Sequence, residues 1–328
     1  MTRPLDILTW HVHGSYLYYL SHVPHRLYLP VKPGRPEGYG GRLPGFPWSD
    51  NVVDVPADRI RDLGLDCILF QSRRNWEIDQ FEILSPAQRR LPRIFLEHDP
   101  PREHPTDTHH PVDDPDVLLV HVTAFNDLMW DAGRTPTRVI EHGVVVPDSA
   151  RYTGELERGI VVVNGLPTRG RRLGADVLAV VRERVPLEVV GMESERIGGL
   201  GEASHAELPM LAARHRFFFH PIRYTSLGLA VCEAMLLGVP VVALATTEMT
   251  TVITNGVSGF VDTRIDVLVD AMRRLLADGR EARRLGANAR RTAQERFGIG
   301  RFISDWNAAL ADVTGRRLSR TERRSAYA

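Results

Sequence analysis

The chain has 328 residues, with 41 basic side chains against 41 acidic ones and only two cysteines. That length predicts two domains, each large enough for its own core, and the balanced charge gives no general argument for nucleic acid. Cys67 and Cys232 stand in apolar surroundings and are too few for a disulfide framework. The opening Met1-Thr2-Arg3-Pro4 does not read as a signal peptide, and no run reaches the ~18 apolar residues of a spanning helix, so a cytoplasmic protein is expected.

Strand-like and helical patterns alternate along the chain, which predicts an α/β architecture with parallel sheets. In the first half the candidate strands are Leu5–Trp10, Cys67–Gln71, Arg93–His98, Val117–His121 and Arg138–Glu141. The first ends in His11-Val12-His13-Gly14-Ser15, and a helix with Tyr16, Leu17, Tyr19 and Leu20 begins there. A glycine turn after the first strand of such a sheet faces the crevice at the strands' carboxyl ends, which makes Gly14 a candidate binding residue. Residues Lys32 to Asp50 are crowded with proline and glycine and exclude a regular element; they read as an acceptor-binding loop or a plain surface loop. His98 ends another strand. The histidines around it (His104, His109, His110) and Asp99 and Asp107 lack the spacing of a metal site, so no metal is expected. Gly-x-Ser-x-Gly and Walker A patterns are both missing from the sequence.

A boundary falls near Pro147–Glu157, and a new strand, Ile160–Val163, follows. Then come a helix over Arg171–Arg184, a strand at Leu187–Val190 and a helix over Ala206–Arg214. The most informative stretch runs from Phe217 to Asp262. An apolar strand, Arg216–His220, leads through a polar turn into a helix expected to open at Thr225-Ser226, with a hydroxyl at each cap position, and to stop at Gly238. From Leu227 to Gly238 every residue but Glu233 is apolar or glycine, and a carboxylate there is expensive to bury without a hydrogen-bonding partner. Glu233 lies seven residues after Ser226, which puts both on one side of a continuous helix. The first-turn amides make an anion site, and Gly228 lets a ligand approach the backbone. A phosphate at the helix mouth and a hydroxylated group beside Glu233 describe a nucleotide sugar. A second buried strand, Val239–Leu244, and helices over Ile265–Ala277, Glu281–Arg296 and Phe297–Leu310 complete the pattern. Arginines crowd the end of the chain, from Arg280 to Arg316, Arg317, Arg320, Arg323 and Arg324; they read as a solvated face and tail or as a surface for anionic lipid.

The same stretch resembles the donor-binding signature of retaining GT-B glycosyltransferases of family 4 (glycosyltransferase group 1). Gly228-Leu229, Glu233-Ala234-Met235, Gly238, Pro240-Val241-Val242, Asn255-Gly256 and Gly259-Phe260 stand in the family's places. Thr225 stands where the family has a glutamate that contacts the donor sugar. Val161 to Gly170 is similar to the loop that supplies an arginine and a lysine to the diphosphate, with Asn164 at the arginine position and Arg169 at the lysine position; Arg171 or Arg172 are nearby cations that could compensate. The resemblance implies two Rossmann-like domains with parallel sheets facing a central cleft: residues 1–150 on the acceptor side, 151–296 holding the donor, and 297–328 as a helix crossing back to the first domain plus a basic tail. It also implies that Glu233 holds the nucleotide ribose, that Gly14, Arg169, Thr225, Ser226, Leu227, Gly228 and Leu229 form the donor site, and that His98 lies beside the reacting sugar as the catalytic residue. The implied reaction is glycosyl transfer with retention of configuration. It uses a nucleotide-sugar donor and a carbohydrate, lipid-linked or small-molecule acceptor, with no cofactor or metal; peripheral contact at the inner face of the membrane belongs to the lipid-surface reading of the arginines. An epimerase or hydrolase on the same fold, for which Glu97 and Asp99 are the available carboxylates, and a non-catalytic nucleotide-sugar binding protein are the alternatives.

Overall fold

The computed structural model describes residues 3–315; the arginine-rich tail from Arg316 lies outside them. The chain divides into two compact units, one of residues 1–143 with 299–328, the other of residues 144–298.

The first unit is built on a seven-stranded sheet in the order β3-β2-β1-β4-β5-β6-β7, every pairing parallel. The strands are β1 (Asp6–Thr9), β2 (Arg26–Val31), β3 (Val52–Pro56), β4 (Cys67–Phe70), β5 (Arg93–Glu97), β6 (Val117–His121) and β7 (Thr137–Val139). Strands β1 and β4 are buried at every position, as expected for a parallel sheet covered on both faces. Strands β2 and β3 were not among the expected ones. Pro30 speaks against a strand in the sequence, because proline cannot donate to a ladder. Its position resolves the conflict: the β1–β2 pairing reaches only Leu8 and Tyr28, so Pro30 faces a partner on the β3 side alone. Residues 32–50 contain no helix or named strand, in line with their composition.

The second unit carries a five-stranded parallel sheet, β12-β11-β10-β8-β9. Its strands are β8 (Leu156–Val162), β9 (Leu187–Val190), β10 (His215–His220), β11 (Val241–Leu244) and β12 (Gly259–Asp262). Phe217, Phe219, Val242, Leu244, Leu268 and Met272 join one buried cluster across it. The helix expected over Arg171–Arg184 is shorter, Ala175–Arg182. Residues Gly170–Leu173 form a 3₁₀ turn that ends at Gly174, whose φ of +83° breaks the path of an α-helix. The long helix Gly279–Arg296 begins at Asp278, whose carboxylate accepts from the amides of Arg280 and Glu281. It packs at Gly286 onto Gly238, the left-handed cap that ends helix Leu229–Leu237; any side chain at position 286 would collide with the Gly238 carbonyl.

Both strand orders fix where ligands can bind. In the first sheet the chain runs outward from β1 to β3 and then returns to β4 on the other side of β1. In the second it runs from β8 to β9 and returns to β10. Each reversal leaves a crevice at the carboxyl ends of the flanking strands, where open α/β sheets bind ligands. The crevices lie between β1 and β4, and between β8 and β10.

Candidate active site

The expected donor residues of the second unit gather at its switch point. Strand β10 ends at His220, and Pro221 to Leu227 form an irregular turn. The helix then starts at Leu229 with Gly228 as its cap, three residues later than the sequence suggests. Thr225, half-buried, and Ser226, 9% exposed, therefore belong to the turn. The spacing argument that puts Ser226 and Glu233 on one helix face fails with it, since Ser226 is outside the helix. Glu233 is half-buried and not enclosed in the core, so the cost of its charge is smaller than the all-apolar setting implies.

Gly228 is informative because the fold does not demand glycine there. Its φ and ψ of −73° and 136° suit any residue, and the atom nearest to an added methyl would be His220 Cε1 at an ordinary 3.8 Å. Its cap, Gly228, has no side chain to bond the first-turn amides. The result is an uncapped N-terminus of a nine-residue helix beside a backbone with no side chain in the way, the arrangement that receives an anion.

Arg169 ends a single helical turn, Leu166–Arg169, after β8 and is exposed. Asn164 does something other than replace an arginine: its side-chain oxygen accepts from the Met192 amide at 2.9 Å and ties the end of β8 to the end of β9. Arg171 pairs with Asp176 at 2.5 Å, a carboxylate it shares with Arg223. The Asn255-Gly256 pair is a staple. Both polar groups of the Asn255 amide bond the backbone of Val261 and close the turn into β12.

His220 escaped the sequence reading. It is 3% exposed, and its Nδ1 finds no partner among the described residues. Burial pushes its pKa down to about 4, so it is neutral at physiological pH. Only its place at the end of a strand, directly before the turn that leads into helix Leu229–Leu237, could have drawn notice.

In the first unit the expected residues Gly14 and His98 come together through their neighbours. His13 caps helix Gly14–Leu20 in an extended conformation, and its ring centroid lies 4.2 Å from that of His98. Tyr16 presents an edge to both His98, at 4.8 Å, and His142, at 5.7 Å. Trp306, on helix Ile299–Val313, donates to the Tyr16 hydroxyl at 3.3 Å. Burial, and then the like charges of His13 and His142, hold the His98 pKa well below the usual value. Phe46, from the proline-glycine loop, approaches Gly14 closely, and the Gly41 carbonyl of the same loop accepts from His11 Nδ1 at 2.5 Å. The loop thus folds over the end of β1.

Neither carboxylate near His98 is idle. Glu97 accepts from the Asp99 amide and pairs with His110 at 3.2 Å, while Asp99 pairs with Arg102. Among the described residues no three His, Cys, Asp or Glu side chains gather as a metal set, and no helix is long and apolar enough to cross a membrane.

Two parallel α/β sheets of this kind define the GT-B architecture, and known structures bear that out. A glycosyltransferase from Rickettsia africae ESF-5 superposes with a TM-score of 0.70 at 12% identity, over 96% of this chain and 100% of that one. Sucrose-phosphate synthase from Thermosynechococcus elongatus does so at 0.67 and 17%, over 96% and 100%. HepE from Anabaena, in complex with UDP, gives 0.67 and 16%, over 94% and 100%. At these identities the likeness establishes the fold. Residues 194–292 match the family model of glycosyl transferases group 1, a span that contains residues 221–228 and Glu233. The chain accordingly has the GT-B fold, and part of its second unit is similar to the glycosyl transferases group 1. No curated protein sequence matches it significantly.

Proposed function

We propose that the protein transfers a sugar from a nucleotide-sugar donor to an acceptor, with retention of anomeric configuration and without a metal. The observation that carries this reading is the uncapped helix Leu229–Leu237, which opens at a glycine the fold does not require and bears Glu233 as its one acid. The diphosphate is received at the helix mouth and by Arg169, which together oppose the negative charge that develops as the nucleotide leaves. Glu233 accepts from the ribose hydroxyls. Structures of the same fold include HepE with UDP and with UDP-glucose, which supports a nucleotide-sugar donor. The epimerase or hydrolase reading needs free carboxylates, and Glu97 and Asp99 are both engaged. The proposal includes a cytoplasmic location and contact with an anionic lipid surface through exposed arginines such as Arg283, Arg290 and Arg291 on helix Gly279–Arg296.

Incubation of the pure protein with a panel of nucleotide sugars and acceptors tests it. A glycosylated product with the donor's anomeric configuration is expected; an epimerised donor, or tight binding with no turnover, would overturn it.

Two substitutions locate the donor. Glu233→Gln should weaken nucleotide binding at least about tenfold, since a charged hydrogen bond is worth roughly 1.5–3 kcal/mol. Unchanged affinity in calorimetry would remove Glu233 from the ribose. Arg169→Ala should lose about tenfold in affinity for the nucleoside diphosphate and almost nothing for the nucleoside, because its charge acts on phosphate alone. Equal losses for both ligands would mean that it supports the fold.

A further inference from the structure

Gln71 follows β4 at the first unit's switch point and is buried. Its amide nitrogen donates to Thr9 Oγ1 and to the Trp10 carbonyl, both at 2.8 Å. A carbonyl can only accept, so the Trp10 contact fixes which end of the amide is NH₂. The opposite end, Oε1, faces His98 Nε2 at 3.1 Å. An amide oxygen also only accepts. The hydrogen of that bond must therefore come from His98, and in a neutral imidazole a hydrogen on Nε2 leaves a lone pair on Nδ1. The backbone of Gln71 is held in turn, its amide donating to Asn75 Oδ1, while Asn75 donates to Asp79. The chain of bonds runs from the end of β1 through Gln71 to the end of β5.

We propose that Gln71 is a positioning residue that locks His98 as the Nε2–H tautomer, so that the only group His98 offers a ligand is the Nδ1 lone pair. His98 Nδ1 carries no hydrogen bond among the described residues, and the residue is partly exposed. Its partner is consequently a hydrogen-bond donor, a hydroxyl of the reacting sugar or of the acceptor, in a clause that rests on the glycosyltransfer reading. A phosphate or carboxylate is excluded as the group facing Nδ1. The other titratable groups against this ring are His13, Tyr16 and His142; the first two pack edge-on against it, and the His13 and His142 charges, like burial, disfavour an imidazolium.

Nitrogen-15 NMR of the histidine rings in the full chain at pH 7.5 tests the tautomer without any substrate, with the His98 signals assigned by their loss in His98→Gln. The native protein should show His98 with hydrogen on Nε2 alone. Gln71→Leu should give a mixture of tautomers and lower kcat about five- to tenfold, the worth of one hydrogen bond, with little change in donor KM. Gln71→Glu retains an acceptor at the same place; it should keep the tautomer and move the acid limb of the pH–rate profile upward, because a carboxylate favours the imidazolium. It also carries the test if Gln71→Leu does not fold. Hydrogen on Nδ1 in the native protein, or an unchanged tautomer in Gln71→Leu, would overturn the proposal. A correct tautomer in a protein that transfers no sugar would overturn the functional reading and leave the role of Gln71 standing.

Discussion

His98→Ala should lower turnover by roughly 10²-fold or more while nucleoside diphosphate affinity barely changes, the pattern of a group that acts only as the reaction proceeds. The expected donor residues Arg169, Ser226, Gly228 and Glu233 all belong to the second unit, and His98 belongs to the first, so loss of its side chain leaves the donor turn intact. The native ring is held neutral by burial and by its histidine neighbours and oriented by Gln71. Single-turnover kinetics with calorimetry of nucleotide binding separates the outcomes. If affinity and turnover fall in step, His98 serves donor binding or the fold. Near-normal turnover removes it from the reaction and makes Glu97 and His13, on either side of the same crevice, the next side chains to substitute.

The candidate site of the second unit could be picked out in the sequence because its residues lie close together in the chain. A strand, a turn, a glycine and a helix with one acid follow one another between His215 and Leu237, and periodicity with cap residues reads such a segment directly. What misled was the choice of cap. Thr225 and Ser226 are better helix starters than Gly228 on side-chain grounds, yet the chain stays irregular for three more residues and leaves the amides of the helix mouth uncapped. Conflict between local preference and the fold is expected where function intervenes.

The first unit was legible in outline only. Strand β2 was hidden by Pro30, whose tolerance depends on which neighbour it pairs with, a tertiary fact. The link between Gln71 and His98 spans 27 residues and two strands, and nothing in either segment announces it. Asn164 has a role that no motif shows: uncharged at the family's arginine position, it holds two strand ends together in three dimensions.

Acid should destabilise both units well above the range where carboxylates matter. His121, fully buried, and His220 have pKa values pushed down to about 4, in both cases mainly by burial, with Asp127 opposing the shift at His121 and His110 adding to it. An unfolded histidine titrates near 6.5, so between that pH and about 4 the unfolded chain binds protons that the native protein does not. Stability from these groups is therefore complete above pH 6.5 and is lost as pH falls through the window, at about 1.4 kcal/mol per pH unit for each histidine. By pH 4 that amounts to about 3 kcal/mol from each, a large share of the 5–15 kcal/mol typical of a domain. His98 adds to the loss in the first unit, its pKa being lowered in the same direction. The carboxylates held low by arginines, such as Asp176 beside Arg223, weaken the fold only once pH drops below their ordinary range, so they do not account for losses at pH 5 to 6. All five tryptophans, Trp10, Trp48, Trp76, Trp130 and Trp306, belong to the first unit, so their fluorescence follows that unit, while circular dichroism follows both. The urea midpoint by fluorescence should fall steadily from pH 6.5 to 4.5, and His121→Leu should make that slope shallower by about one proton. His220→Leu should leave the fluorescence slope alone and flatten the part of the transition seen only by circular dichroism. A midpoint that stays constant over this window, or slopes that neither substitution changes, would show that these buried histidines titrate at their ordinary pKa in the folded protein.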